Sequence, residues 1–198
     1  MPKIAFVMGK SASGKDKIYR SLINNESLNL NTVTMYTTRP MRVGETDGVE
    51  YFFVSDEVAC EMEKNNQIVE MRCYDTVYGQ WKYFTADDGQ IDLESGKRYI
   101  VIGTLEAFEA FGRFYGKENI LPIYIEVEDG IRLTRAIHRE QKQEVPKYEE
   151  MCRRFLADSA DFSEENINKA GITTRFYNNE DLDSCINAVS KAIEEGLD

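Results

Sequence analysis

Apolar positions along the chain alternate between two rhythms. Short runs rich in apolar and β-branched residues occupy positions 3–8, 32–36, 98–102, 121–127 and 174–177. Runs of this length with few charges inside them fit strands buried on both faces. Between them lie stretches with one apolar face at helical spacing. Ile18, Tyr19, Leu22 and Ile23 mark a helix that starts at Lys15, and further helices are predicted over 105–115, from Ile131, and over 181–194. Strands alternating with helices predict an α/β fold in which a parallel sheet is covered by helices on both faces.

Two segments depart from this rhythm. Residues 37–85 begin with Arg39-Pro40, pass through the turn-rich Gly44-Glu45-Thr46-Asp47-Gly48, and continue into the aromatic strand Tyr51-Phe52-Phe53-Val54. Ser55 is placed to cap a helix reaching Asn65, and 67–72 and 81–84 read as two more strands. The segment is a small mixed α/β insertion on the sheet. Residues 132–161 form a long charged helical stretch broken at Val145-Pro146, with arginines at 132, 135, 139, 153 and 154. On pattern alone these arginines form a solvated face paired with neighbouring glutamates.

Composition narrows the class. The chain has 198 residues and a formal charge of −11, which opposes a nucleic-acid surface, since such a surface needs a basic stripe. No run approaches membrane length, and no basic region followed by a long apolar stretch opens the chain, so a cytoplasmic protein is expected. Cys60, Cys73, Cys152 and Cys185 are widely spaced and His138 is the only histidine. That pattern excludes a convincing zinc site or disulfide framework and reads as structural thiols. It leaves the oligomeric state open.

Candidate chemistry begins where the first strand ends. Gly9-Lys10-Ser11-Ala12-Ser13-Gly14-Lys15-Asp16 follows Ile4-Ala5-Phe6-Val7-Met8 directly. Glycines at this junction let successive N–H groups turn toward phosphate oxygens, and the following helix offers its positive N-terminus to the same anion. Lys15 adds a mobile cation for the β- and γ-phosphates.

The run from Tyr36 through Thr37-Thr38-Arg39-Pro40-Met41-Arg42, then Gly44-Glu45 and Tyr51-Phe52-Phe53-Val54, resembles the GMP-binding region of guanylate kinases. With the phosphate loop before it and an arginine-rich segment after it, the resemblance extends over essentially the whole chain. It implies a core of residues 1–36, 86–130 and 162–198, a GMP-binding insertion at 37–85 and a lid at 131–161. It implies phosphoryl transfer from ATP to a nucleoside monophosphate, most readily GMP, with Mg2+. By the same resemblance Arg39, Arg42, Tyr51 and Tyr78 hold the acceptor phosphate, and Arg139, Arg153 and Arg154 join Lys15 and Arg39 as catalytic cations. Guanidinium forks and phenol hydroxyls suit a phosphate dianion. Glu70 would select the base, because a carboxylate accepts from both N1–H and the 2-amino group of guanine, whereas adenine turns a lone pair toward it.

Several positions depart from the family pattern. Met35 stands where a serine would donate to guanine O6, and Gln80, after Tyr78-Gly79, offers an amide in its place. Ile102 and Thr104 replace acidic residues at a strand end, while the loop's usual hydroxyl is Asp16. A carboxylate beside a nucleotide phosphate is repelled unless a cation lies between them. The two changes are therefore read together, with Asp16 taking over the magnesium contact. Two other readings remain: a kinase of a phosphorylated sugar of the ribose 1,5-bisphosphate type, and a guanylate-kinase-like binding module without catalysis.

Overall fold

A computed structural model of the chain describes residues 1–76 and 79–197. Its core is a parallel five-stranded sheet of β1 (Ile4–Met8), β2 (Leu30–Thr32), β7 (Arg98–Gly103), β8 (Ile120–Glu126) and β9 (Arg175–Tyr177), in the order β2-β7-β1-β8-β9. The central strand is buried along its full length because helices cover both faces. Alternate residues of a strand point to opposite faces. Ile4, Phe6 and Met8 accordingly meet α3 (Leu105–Tyr115), where Phe6 packs edge-on against Phe108 and Phe111. Ala5 and Val7 meet α1 (Lys15–Ile23) and α7 (Leu182–Gly196) through Ile18, Leu22, Val189 and Ile193. Gly103, at the end of β7, admits the Phe6 ring so closely that a Cβ there would lie 2.7 Å from its Cζ.

Between β2 and β7 the chain builds a second sheet. It contains β3 (Tyr36–Thr37), β4 (Phe52–Phe53), β5 (Ile68–Thr76) and β6 (Gly79–Ala86), in the order β4-β3-β6-β5, with α2 (Asp56–Lys64) packed on one face. The Ser55 hydroxyl accepts from Val58 N at the start of α2, as its position predicts. The expected single strand over 32–36 is instead two strands in two sheets, since the chain crosses between sheets there. Gln90 bridges the gap: its Oε1 accepts from Thr34 N at 2.8 Å and its Nε2 donates to Thr34 O at 3.0 Å.

The charged segment is a pair of helices, α4 (Asp129–Gln141) and α5 (Tyr148–Asp161). A short helix, α6 (Glu164–Lys169), follows with Ser163 as its cap. The sequence pattern did not predict α6, although Ser163-Glu164-Glu165 is a start signal. Among the described residues, no helix is long and apolar enough to cross a membrane.

Candidate functional site

The phosphate loop leaves the C-terminal end of β1, the edge where ligands of open parallel sheets bind. Its shape depends on two glycines. A Cβ on Gly9 would lie 2.6 Å from the carbonyl oxygen of Ile125. Gly14 has φ 86° and leaves no room beside Asn178, whose Nδ2 would be 2.5 Å from a Cβ. That amide donates to Ser13 O at 2.8 Å and ties the loop to the end of β9. Gly14 is also the N-cap residue of α1 and supplies no side-chain acceptor, whereas α2, α3, α4, α6 and α7 each have one. Of the first-turn N–H groups of α1, Lys15 N meets Ser13 Oγ at 3.4 Å and Lys17 N meets Gly14 O at 3.0 Å, which leaves Asp16 N as the donor open to an anion among the described residues. Lys15 stands beside it, 3.6 Å from the carboxylate of the exposed Asp16.

The paired helices close over this loop through Ser11. Arg132, read from pattern as part of a solvated face, is fully buried. Its guanidinium lies over the Phe155 ring, is held by Asp129, and donates to Ser11 O at 3.1 Å. Asp158 accepts from Ser11 N at 2.6 Å, and Arg154 donates to Ser11 Oγ at 3.2 Å. Both backbone polar groups and the hydroxyl of Ser11 are therefore held from the helical pair. Lys10 reaches Asp129 at 3.5 Å. Arg135 donates to Asn179 O, while Arg153 remains on the surface, paired with Glu150. A cavity of about 310 Å³ between loop and helices is lined by Ser11, Arg139, Lys147 and Arg154.

The second sheet carries the other half of the site. On β5 and β6, Glu70, Arg72 and Tyr74 stand opposite Thr85, Tyr83 and Trp81, and by period two they share a face. Met71 and Phe84 point the other way, into the small core beneath α2. Tyr51 packs edge-on against Tyr83, and the buried Arg39 lies over the rings of both Tyr51 and Phe53. Glu45 grips Arg39 with both oxygens, at 2.5 and 2.7 Å, and also accepts from Arg42 N. These contacts, led by the Arg39 guanidinium, hold the Glu45 carboxyl down at about 2. Burial pushes the Glu70 carboxyl up, against the pull of Arg72 and Thr85, and it likewise raises the Tyr51 phenol.

A cleft of about 610 Å³ separates β5 from the start of α3, the end of α5 and α6, with Arg72, Thr104, Glu106, Asp161 and Lys169 among its lining. Thr104 serves there as the cap of α3, accepting from Ala107 N. Met35 lends its carbonyl to Phe52 N. Gln80 is turned to Asp75, to which its Nε2 donates at 3.0 Å, and Tyr78 lies outside the described residues. Sequence reasoning missed Arg72, Arg132 and Asp158. Spacing offered a signal for two of them: Arg72 is two residues from Glu70 on a strand, and Asp158 is four residues from Arg154 on a helix.

Comparison with known proteins finds guanylate kinases. The family model described as guanylate kinase matches residues 1–84, which hold both the phosphate loop and the arginine-glutamate cup. A guanylate kinase of Porphyromonas gingivalis is 27% identical over 197 residues, covering 98% of each chain. The chain is thus similar to guanylate kinases along its full length. A guanylate kinase of Mycoplasma mobile is 32% identical over 122 residues, 60% of this chain. The chain spans 58% of that relative's length. A crystal structure of guanylate kinase from Anaplasma phagocytophilum superposes with a TM-score of 0.60 at 19% identity, covering 98% of this chain and 85% of that one, which shows the fold of the family here. The helical pair lies beyond the residues matched by the family model, and the buried Arg132 and the Asp158–Ser11 contact occur within and against it.

Proposed function

We propose that this chain transfers the terminal phosphoryl group of ATP to GMP, giving ADP and GDP. The observation that carries this reading is a single face of the second sheet on which Arg39, Tyr51 and Glu70 stand together, with a phosphate loop at the end of the core sheet and one helix, α5, lining the cavities on both sides. In this reading the α1 N-terminus and Lys15 hold the donor phosphates. Arg39 and Arg42 hold the acceptor phosphate with Tyr51 and Tyr78, and Glu70 accepts from the guanine edge. Arg139 and Arg154 face the donor cavity and are placed to cover the transferring group, with Arg153 more remote. Catalysis then consists of positioning and charge neutralisation.

Magnesium fits the donor side. Among the described residues no cluster of three or more acidic, His or Cys side chains could cage a metal. The exposed carboxylate of Asp16 stands next to Lys15 at the phosphate loop, which suits a hard cation whose other ligands are water and nucleotide oxygens. When bound, the ion neutralises charge on the transferring phosphates. Asp16 would hold the ion, and Lys15, now paired with Asp16, would be free to turn to the phosphate oxygens.

The test is ADP release from magnesium-ATP with GMP, dGMP, AMP, UMP, CMP or ribose 1,5-bisphosphate as acceptor. Turnover with GMP well above the other acceptors is expected. Turnover with the sugar phosphate alone would transfer the assignment to that reaction. No turnover with any acceptor, together with a GMP-induced rise in the melting temperature, would leave a binding module.

A further inference from the structure

Beside Glu70, to which the proposed reading gives the guanine edge, β5 carries a second charged residue that does line the cleft. Arg72 lies on the same face of β5 and donates from Nε to Glu70 Oε2 at 3.2 Å, while Thr85 Oγ1 donates to the other oxygen at 3.3 Å. The Arg72 side chain is 24% exposed and lines the 610 Å³ cleft. Its terminal nitrogens, Nη1 and Nη2, make no hydrogen bond to another described residue. A base whose N1–H and 2-amino group meet Glu70 places its O6 beside N1 and its N7 further along the same edge, and both are acceptors. Other candidate donors fit that edge less well: Gln80 is bound to Asp75, the Thr85 hydroxyl is bound to Glu70, Met35 has no side-chain donor, and Lys169, which also lines the cleft, offers a point charge rather than a planar fork.

We propose that Arg72 is a specificity-determining residue of the acceptor site, donating from its terminal nitrogens to the O6 and N7 edge of guanine while Glu70 takes N1–H and the 2-amino hydrogens. The inference rests on the GMP reading above. The planar guanidinium presents donors in a fixed fork, a geometry that matches O6 and N7 of guanine. It also acts against adenine, whose 6-amino group would direct its hydrogens at those of Arg72. The ion pair thus reads the base with acceptors and donors side by side. Glu70 fixes the guanidinium plane, and Arg72 offsets the charge that Glu70 would otherwise carry alone in a buried position.

The experiment compares binding of GMP with that of 7-deazaguanosine monophosphate, which keeps N1–H, the 2-amino group and O6 and lacks only N7, by calorimetry on the full chain. The native protein should prefer GMP by about tenfold or more. In Arg72→Met the ratio should fall toward one. Arg72→Lys, which keeps the positive charge beside Glu70 and so guards against misfolding, should lose most of the ratio while keeping ATP binding unchanged. A ratio that survives in both variants, or a native protein that binds the two ligands equally, overturns the inference and leaves the GMP reading standing. Absence of any GMP binding by the native chain sinks that reading and the inference with it.

Discussion

The two halves of the site neutralise their cations in different ways. In the acceptor cup, Arg39 and Glu45 have side chains 4% and 17% exposed, and the pair is bidentate and stacked on two aromatic rings. At the phosphate loop, Lys15 and Asp16 are 20% and 75% exposed, and Lys10 and Asp129 18% and 52%. Exposed pairs are screened and contribute roughly 0–1 kcal/mol, so an arriving polyphosphate can take over their lysines at small cost. A dry, forked pair holds its geometry whether or not a ligand is present. Under the proposed function the acceptor side is therefore preorganised, and the donor side carries stand-ins that give way.

This contrast is sharpened first at Glu70. Glu70→Gln should raise the KM for GMP about 10- to 100-fold, the worth of a charge-assisted hydrogen bond, with little change in the KM for ATP. The same variant should melt at a higher temperature than the native protein at pH 7. Burial raises the Glu70 carboxyl, so its ionised form opposes folding above the folded-state value. That penalty is relieved as pH falls through it, and the gap between the melting curves should therefore narrow toward acid. Equal melting at pH 7 would mean that Arg72 and Thr85 fully offset the burial.

The donor side is tested next. Asp16→Ser should lower kcat/KM for magnesium-ATP by about tenfold and raise the magnesium concentration needed for half-maximal rate. Unchanged kinetics would leave Asp16 as a partner of Lys15 and nothing more. The smallest effect is expected at Asp158. Asp158→Asn keeps an acceptor for Ser11 N but removes a negative charge from the mouth of the loop, so the KM for ATP should fall about two- to fivefold. A higher KM would show that this carboxylate assists nucleotide binding, and the contrast between the halves would fail.

How much of this was legible in the sequence depended on whether an interaction is local. The phosphate loop could be read because a buried strand, two glycines and an amphipathic helix follow one another. The same holds for Arg39, Arg42 and Glu45, which lie within seven positions. Arg132 could not be read, because its burial depends on Ser11 and Phe155, distant in sequence and brought together only when the helical pair folds over the loop. Arg72 was hidden for a different reason. A charged residue on a strand beside a cleft looks like a solvated one until the opposing strand is placed. The division of 32–36 between two sheets likewise follows from tertiary pairing, since its β-branched residues satisfy strand propensity in either sheet.

The Ser11 amide has a consequence for how motion in this chain can be observed. It donates to a side chain 147 positions away rather than into a ladder or a helix, so its protection from deuterium exchange depends on α5 staying docked and not on the integrity of the core. A single backbone proton therefore serves as a gauge of α5 undocking from the loop, read by exchange or by its chemical shift. Protection at β1 and β8 would report on global unfolding in the same spectrum.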